Sequence, residues 1–342
     1  MTNINNRKAP ELLIPASSLE VLKTAVIYGA DAVYIGGEAF SLRAKAKNFS
    51  KEDMAEGIKF AHDHGCKVHV TANILAHNYD LKAAREYFES LNELKPDAFI
   101  ISDPGLFTLA REICPDIDVH ISTQANNTNY ETYKFWWRLG AKRVVSAREL
   151  SLREIKEIRD NIPEDMEIES FIHGAMCISY SGRCLLSNYF TGRDANRGAC
   201  THPCRWKYTV YEGDLNANPF TDNSKVAADY EADCSEVTKE HELSYYVEEE
   251  KRPGELLPVY ENERGTYIFN SKDICMIEHI TEMIDAGIDS FKIEGRMKTA
   301  LYVATVARTY RKAIDDYLES EEKYRNNITL NTRVREDKVM ER

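Results

Sequence analysis

The chain of 342 residues is 43% hydrophobic and 29% charged, the balance of a folded globular protein and not of a disordered or collagenous one. No run approaches the roughly 18 consecutive apolar residues of a membrane span, and the polar N-terminus lacks the apolar core of a secretory signal, so a cytoplasmic address without membrane contact is expected. Net charge is −12, but positions 213–264 hold 14 Asp and Glu against 5 Lys and Arg; the remainder is close to neutral, which leaves a polyanionic partner open.

From residue 11 onward, short β-branched runs alternate with longer amphipathic ones, the pattern of repeated βα units. It predicts strands over 11–16, 32–37, 67–73, 98–103, 118–124, 143–148 and 167–174, with helices over 18–29, 51–64, 80–94 and 152–160 among the intervening stretches. Ser50 and Ser151 stand where N-caps belong, and Gly65 stands at a helix end. A helix over 272–286, an eighth strand over 288–295 and a long helix over 300–318 follow. Eight such units are the count of an α/β fold of the TIM-like (β/α)8 barrel type, with a Cys-rich loop and a small antiparallel excursion inserted between strands seven and eight. A doubly wound open sheet is the alternative, because a strand count does not establish closure.

The expected organisation is 1–206 for the first seven units and the Cys-rich loop, 207–270 for the excursion, 271–322 for the eighth unit and 323–342 for a polar tail, disordered or opening a further domain. Within the excursion, 207–212 and 265–270 alternate as strands able to pair antiparallel. The acidic stretch 213–250 between them reads as a surface excursion.

Four of the eight cysteines, Cys177, Cys184, Cys200 and Cys204, fall in one short segment with the spacing C-x6-C-x15-C-x3-C. With no secretory signal, such a cluster points to metal or redox chemistry rather than a disulfide framework. Four thiolates suit zinc or an iron–sulfur cluster, and spacing looser than the usual paired zinc knuckles favours iron–sulfur. Cys66, Cys114 and Cys275 lie inside predicted elements and read as small core residues, whereas Cys234 is an alternative to Cys204 as fourth ligand. Around the cluster the charge reverses: Arg183, Arg193, Arg197, Arg205 and Lys207 face only Asp194, interleaved with Tyr180, Tyr189, Phe190 and Trp206. Cations meet phosphates and aromatic faces stack bases, so this segment is a candidate RNA-binding patch.

The run Glu169-Ser-Phe-Ile-His173-Gly-Ala-Met-Cys177, followed by Gly182-Arg-Cys184-Leu-Leu-Ser187, resembles the signature of the collagenase-like peptidase family (type U, number thirty-two). The segments 11–16, 40–49 and 291–298 resemble the same family, and the likeness covers residues 10 to 320. Within the family, the chain is most similar to the branch of prephenate-dependent tRNA uridine hydroxylases. That resemblance implies formation of 5-hydroxyuridine at the tRNA wobble position, with prephenate and an iron–sulfur cluster, of the four-iron type, as cofactors. Sister branches act on ribosomal RNA or on ubiquinone precursors, and other members carry a peptidase label.

Proteolysis finds little chemical support in the sequence: there is no H-E-x-x-H and no G-x-S-x-G elbow. A non-catalytic RNA-binding protein with a structural cluster is the reading from a third class. For the hydroxylase, strand ends offer Asn73, Asp103, Gln124, Arg148, His173, Lys292, Glu294 and Arg296. Arginine's planar fork suits a carboxylate, which makes Arg43, Arg148 and Arg296 the prephenate candidates. His173, Lys292 and Glu294 are the catalytic candidates. Lys292 and Glu294, two apart on one strand, should share a face and are able to pair with each other.

Overall fold

The computed structural model describes residues 9–37, 40, 49–197, 199–206, 208–213, 244–249, 254, 256–259, 261–262, 265–266 and 273–327. Seven strands come first: β1 (Glu11–Pro15), β2 (Ala32–Gly36), β3 (Lys67–Ala72), β4 (Ala98–Ile101), β5 (Asp118–Ile121), β6 (Arg143–Val145) and β7 (Glu167–Gly174). Between and after them run α1 (Leu19–Ile27), α2 (Lys51–Asp63), α3 (Leu81–Leu94), α4 (Pro104–Ile113), α5 (Tyr130–Arg138), α6 (Leu152–Asn161) and the short α7 (Leu186–Thr191). The inserted strands are β8 (Tyr208–Gly213), β9 (Ser244–Glu249), β10 (Leu256–Val259), β11 (Glu261–Asn262) and β12 (Gly265–Thr266). Then come β13 (Ile274–Cys275), α8 (Ile280–Asp285), β14 (Ser290–Ile293) and α9 (Ala300–Glu319).

Strands β1 to β7 and β14 are all parallel to their neighbours, and β14 lies between β7 and β1. The β6–β7 pairing closes the ring, so the sheet is an eight-stranded barrel and not an open one. Closure buries both faces of each strand. The outer faces join the helices in one apolar core that includes Leu12, Ile14, Val33, Ile35, Val68, Phe99 and Phe291. Inside, Leu13, Ala32, Tyr34 and Ile100 form a small separate apolar cluster. Much of the remaining interior is polar or charged, including His69, Thr71, His120, Arg143, Glu169, Lys292 and Arg296, all at most 5% exposed.

Local chemistry sets the helix starts. Ser50 accepts from the Asp53 amide, and Ser151 accepts from the Glu154 amide while Glu154 reciprocates in a capping box. Gly65 follows α2 at φ +72°, a conformation that favours glycine. Asp103 caps α4 by accepting from Leu106, so this strand-end carboxylate serves the backbone.

The stretch read as one helix over 272–286 is instead β13, a 3-10 turn and α8. Backbone pairing explains the difference: Ile274 and Cys275 add antiparallel to Gly174 and His173 at the end of β7. That pairing leaves Cys275 exposed, a correction to its reading as a core residue, whereas Cys66 and Cys114 are buried.

The chain divides into two compact units, Met1–Thr201 with Lys272–Arg342, and His202–Ser271. In the second unit β8, β9 and β10 form an antiparallel sheet with β9 central, and β11 pairs with β12. Among the described residues the partner of β8 is therefore β9, with Tyr208 opposite Glu249, while Gly265 and Thr266 pair with β11. The run Ser244-Tyr-Tyr-Val is strongly β-forming but sits among acidic neighbours that masked it in the sequence. After α9 the chain is helical again over 321–327, where the Tyr324 hydroxyl donates to the Ile277 carbonyl and accepts from the Ile280 amide. No helix among the described residues is long and apolar enough to cross a membrane.

Candidate active site

The floor of the barrel is an ion-pair network around Arg143. Its guanidinium meets Glu11 at 2.5 Å, Glu167 at 2.6 Å and Glu169 at 3.1 Å. Glu169 also accepts from Lys292 Nζ at 2.6 Å, which carries the network upward. Burial pushes the Glu11 carboxyl up, but Arg143, His69 and two hydrogen bonds together overcome it and hold the group at about 2. Glu169 is likewise depressed: burial raises it, and Lys292 and Arg143 more than compensate.

Above this network lies the mouth, where the parallel strands end. Lys292 Nζ sits 4.6 Å from the Tyr34 ring centre and 5.4 Å from that of Phe171. Arg148 stacks on the same Phe171 ring at 3.9 Å, donates to the Ala175 carbonyl at 2.8 Å and pairs with Glu294 at 3.3 Å. Arg296 donates to Thr71 Oγ1 at 2.8 Å. Lys292 and Glu294 thus take different partners, Glu169 and Arg148, and do not pair with each other. The register shift opposite Lys292 and Ile293 lies in β7, where Ile172 is the extra residue.

His173 turns toward α9. Its ring packs edge-on to Tyr310, with Nδ1 at 3.3 Å from the phenol oxygen, and lies near Tyr302. Burial lowers its pKa, against an opposing pull from Asp273, so its neutral form is favoured. Its position opposite Cys275 adds a thiol to this corner that no local motif announces. Asn73 donates to Gln124 at 3.2 Å on the opposite side of the mouth. Arg43, the remaining prephenate candidate, lies outside the described residues.

The Cys-rich loop leaves β7 through Gly174, at φ +102°, and stays on the mouth side. Asn126 fastens it by donating to the Ser181 carbonyl at 2.8 Å while accepting from Arg183 Nε at 2.7 Å. The loop then folds back on itself: Asn196 Nδ2 donates to the Cys184 carbonyl, and the Thr201 amide donates to Ser187 Oγ. Cys177 is exposed and Cys184 and Cys200 are half-buried; Cys204, Arg205 and Lys207 belong to the second unit, with Cys204 half-buried and Lys207 outside the described residues. Cys234 also lies outside them.

A closed zinc tetrahedron needs thiolates roughly 3.8 Å apart, given Zn–S bonds of about 2.3 Å. Cys177, Cys184 and Cys200 do not form such a group: among the described residues, the one set of three donor atoms within 4.8 Å is His69, His120 and Glu169. The wider corners of an iron–sulfur cluster do not require thiols that close together.

Of the RNA candidates, Arg183 and Arg193 are exposed, as is Arg205 in the second unit. Arg197 is engaged differently, gripping Asp80 through both guanidinium nitrogens at 3.0 and 3.2 Å. Tyr180 and Leu185 are exposed, and Tyr189 is 74% exposed. Glu11, Tyr34, Arg143, Glu169 and Phe171 are not among the site candidates of the sequence, although Glu169 and Phe171 lie within the signature run. Alternation of inward positions along β1, β2, β6 and β7 was the signal available for them.

Comparison with known proteins identifies the family. The family model of Peptidase family U32 matches residues 17–342. The chain belongs to peptidase family U32. Among U32 relatives, "tRNA hydroxylation protein P" of Escherichia coli (strain K12) is 46% identical over 309 residues, covering 90% of this chain and 68% of that protein. "tRNA hydroxylation protein P1" of Bacillus subtilis (strain 168) is 43% identical, covering 93% of this chain and 66% of that protein. A more distant U32 relative, the "23S rRNA 5-hydroxycytidine C2501 synthase" of Escherichia coli (strain K12), is 35% identical over 90% of this chain and 40% of its own length. The chain spans about two-thirds of the length of the first two.

Proposed function

We propose that this chain is an enzyme of tRNA modification that hydroxylates the wobble uridine to 5-hydroxyuridine, with prephenate as hydroxyl donor and a four-iron cluster on Cys177, Cys184, Cys200 and Cys204. The observation that carries the reading is the similarity to tRNA hydroxylation proteins at 43–46% identity over nine-tenths of the chain. The barrel mouth supports it independently, because the residues there suit both an anionic small molecule and an RNA base.

The Arg148 and Arg296 guanidiniums, held by Phe171 and Thr71, offer planar forks for carboxylates in a largely desolvated setting. Lys292 and Glu169, joined by a short ion pair, hold a proton that can be shared at the base of the mouth. Exposed Arg183 and Arg193 present charge to phosphates, and the Tyr180 and Tyr189 rings present faces on which an unstacked nucleotide can rest. When bound, an iron–sulfur cluster supplies one-electron chemistry that protein side chains lack.

The test is mass spectrometry of tRNA nucleosides from cells without endogenous uridine hydroxylation that express this chain. Hydroxylated wobble uridine is expected with the wild type and none with Cys200→Ser. Unmodified uridine despite a loaded cluster and available prephenate would overturn the proposal. Hydroxycytidine in ribosomal RNA would move the substrate to the sister branch, and peptide cleavage that survives Cys200→Ser would favour the peptidase reading.

A further inference from the structure

Below the mouth, the barrel interior holds a second set of metal-type donors that is separate from the cysteines. His69 of β3, His120 of β5 and Glu169 of β7 each offer one ligand atom, and the three atoms lie within 4.8 Å of one another. All three residues are at most 3% exposed. The two rings meet edge to face, 4.7 Å between centres. Neither His69 Nδ1 nor His120 Nδ1 has a hydrogen-bond partner, although both atoms are buried. An orphaned buried nitrogen costs on the order of 1–3 kcal/mol, and here two such atoms stand in one place. Ala98, in register with His69 on the neighbouring strand, contributes only a methyl group to the interior at this level.

We propose that His69, His120 and Glu169 hold one divalent transition-metal ion of the zinc class inside the barrel. Two imidazoles and one carboxylate are a donor set that zinc and its neighbours accept, with bonds of about 2.0–2.2 Å. Tightening from the present spacing to the donor separations of roughly 3.4 Å that such bonds imply needs only small side-chain shifts. Burial lowers the pKa of both histidines, to about 4 for His69, and so keeps the imidazoles in the neutral, ligating form.

The local charge tolerates a dication. Among its buried members, Glu11, Glu167 and Glu169 face Arg143 and Lys292, one negative charge in excess, while the solvent-screened Lys67 and Lys142 reach Glu11 and Glu167 from the rim at 3.9 and 4.0 Å. Glu169 already accepts from Lys292 and Arg143, but a carboxylate has about four acceptor positions and the two bonds leave room for a metal. The competing occupant of the same space is a buried water bridging the two Nδ1 atoms.

The test uses the full chain with Cys177, Cys184, Cys200 and Cys204 replaced by serine, which removes the thiol site. Cobalt(II) titration of this protein should give d–d bands that saturate near about one equivalent, with nitrogen and oxygen but no sulfur-to-metal transitions. Adding His69→Ala or His120→Ala should weaken uptake by roughly 100-fold or more. Zinc should raise the Tm of the serine background but not of the histidine variants. If the serine background does not fold, elemental analysis of zinc-loaded wild type against His69→Ala/His120→Ala replaces the titration, with a loss of about one equivalent expected. Equal metal content in those two proteins, or cobalt uptake unaffected by the histidine substitutions, would overturn the site and leave water as the occupant.

Discussion

Arg143 decides whether the barrel floor is an ion-pair network or a set of buried, repelling carboxylates. It is 3% exposed and touches Glu11, Glu167 and Glu169. Replacing it with methionine keeps the volume but strands these carboxylates, so Arg143→Met should lose about 3–5 kcal/mol in urea unfolding. A loss under about 1 kcal/mol would mean that the network is solvated and contributes little. Glu11 gives the same network a pH signature. Its folded pKa of about 2 lies below the ordinary 4.5, so the unfolded chain binds more protons between those values. Its contribution, about 3 kcal/mol by linkage, is complete above pH 4.5 and disappears as pH falls toward 2. Stability measured against pH should therefore decline through that window in the wild type, and Glu11→Gln should flatten the decline. Sequence reading reached the cysteines because their spacing is local. It did not reach the pairing of Lys292 with Glu169, 123 positions apart, because the long insertion separates β7 from β14 and only the folded sheet sets the two strands side by side.

At the scale of elements, the junction of β7 with the Cys-rich loop is tightly constrained by backbone on backbone. Gly174 adopts φ +102°, and a Cβ there would come within 2.6 Å of the Glu294 backbone oxygen. Gly174→Ala therefore combines a strained backbone with a clash against the segment that holds Arg148. It should cost about 1–3 kcal/mol in urea unfolding and, under the proposed reaction, raise the Km for prephenate more than it lowers RNA affinity. An unchanged midpoint would show that β14 yields freely at that point. The elements themselves were legible wherever apolar period and cap coincide, as at Ser50 with α2 and Ser151 with α6. They were illegible where tertiary pairing overrode periodicity. β13 exists because the end of β7 offers Gly174 and His173 to pair with, and nothing within 272–286 announces that partner.

For the whole molecule, a chain of net charge −12 is asked to bind a polyanion. Local distribution resolves the conflict more than the total does, since screening limits each charge to a range of about 8 Å at physiological salt. The acidic excess is concentrated in 213–264, whereas the loop carrying the cysteines opposes several cations with Asp194 alone. The geometry divides those cations by role. Arg197 is committed to Asp80 and fastens the loop, whereas Arg183 and Arg193 keep exposed side chains. Counterion release from a single-stranded RNA loop contributes a slope of about 0.7 in log K against log salt for each phosphate neutralised. Under the tRNA reading, Arg183→Ala/Arg193→Ala should reduce the slope of the wild type by about 1.4 and weaken binding across tRNA sequences alike. Arg197→Ala should instead lower the stability of the loop, with a change in slope well below that of the pair. Fluorescence anisotropy of labelled, unmodified tRNA over a salt series makes the comparison. A slope untouched by the double substitution would place the RNA on another face of the barrel, even if hydroxylation itself is confirmed.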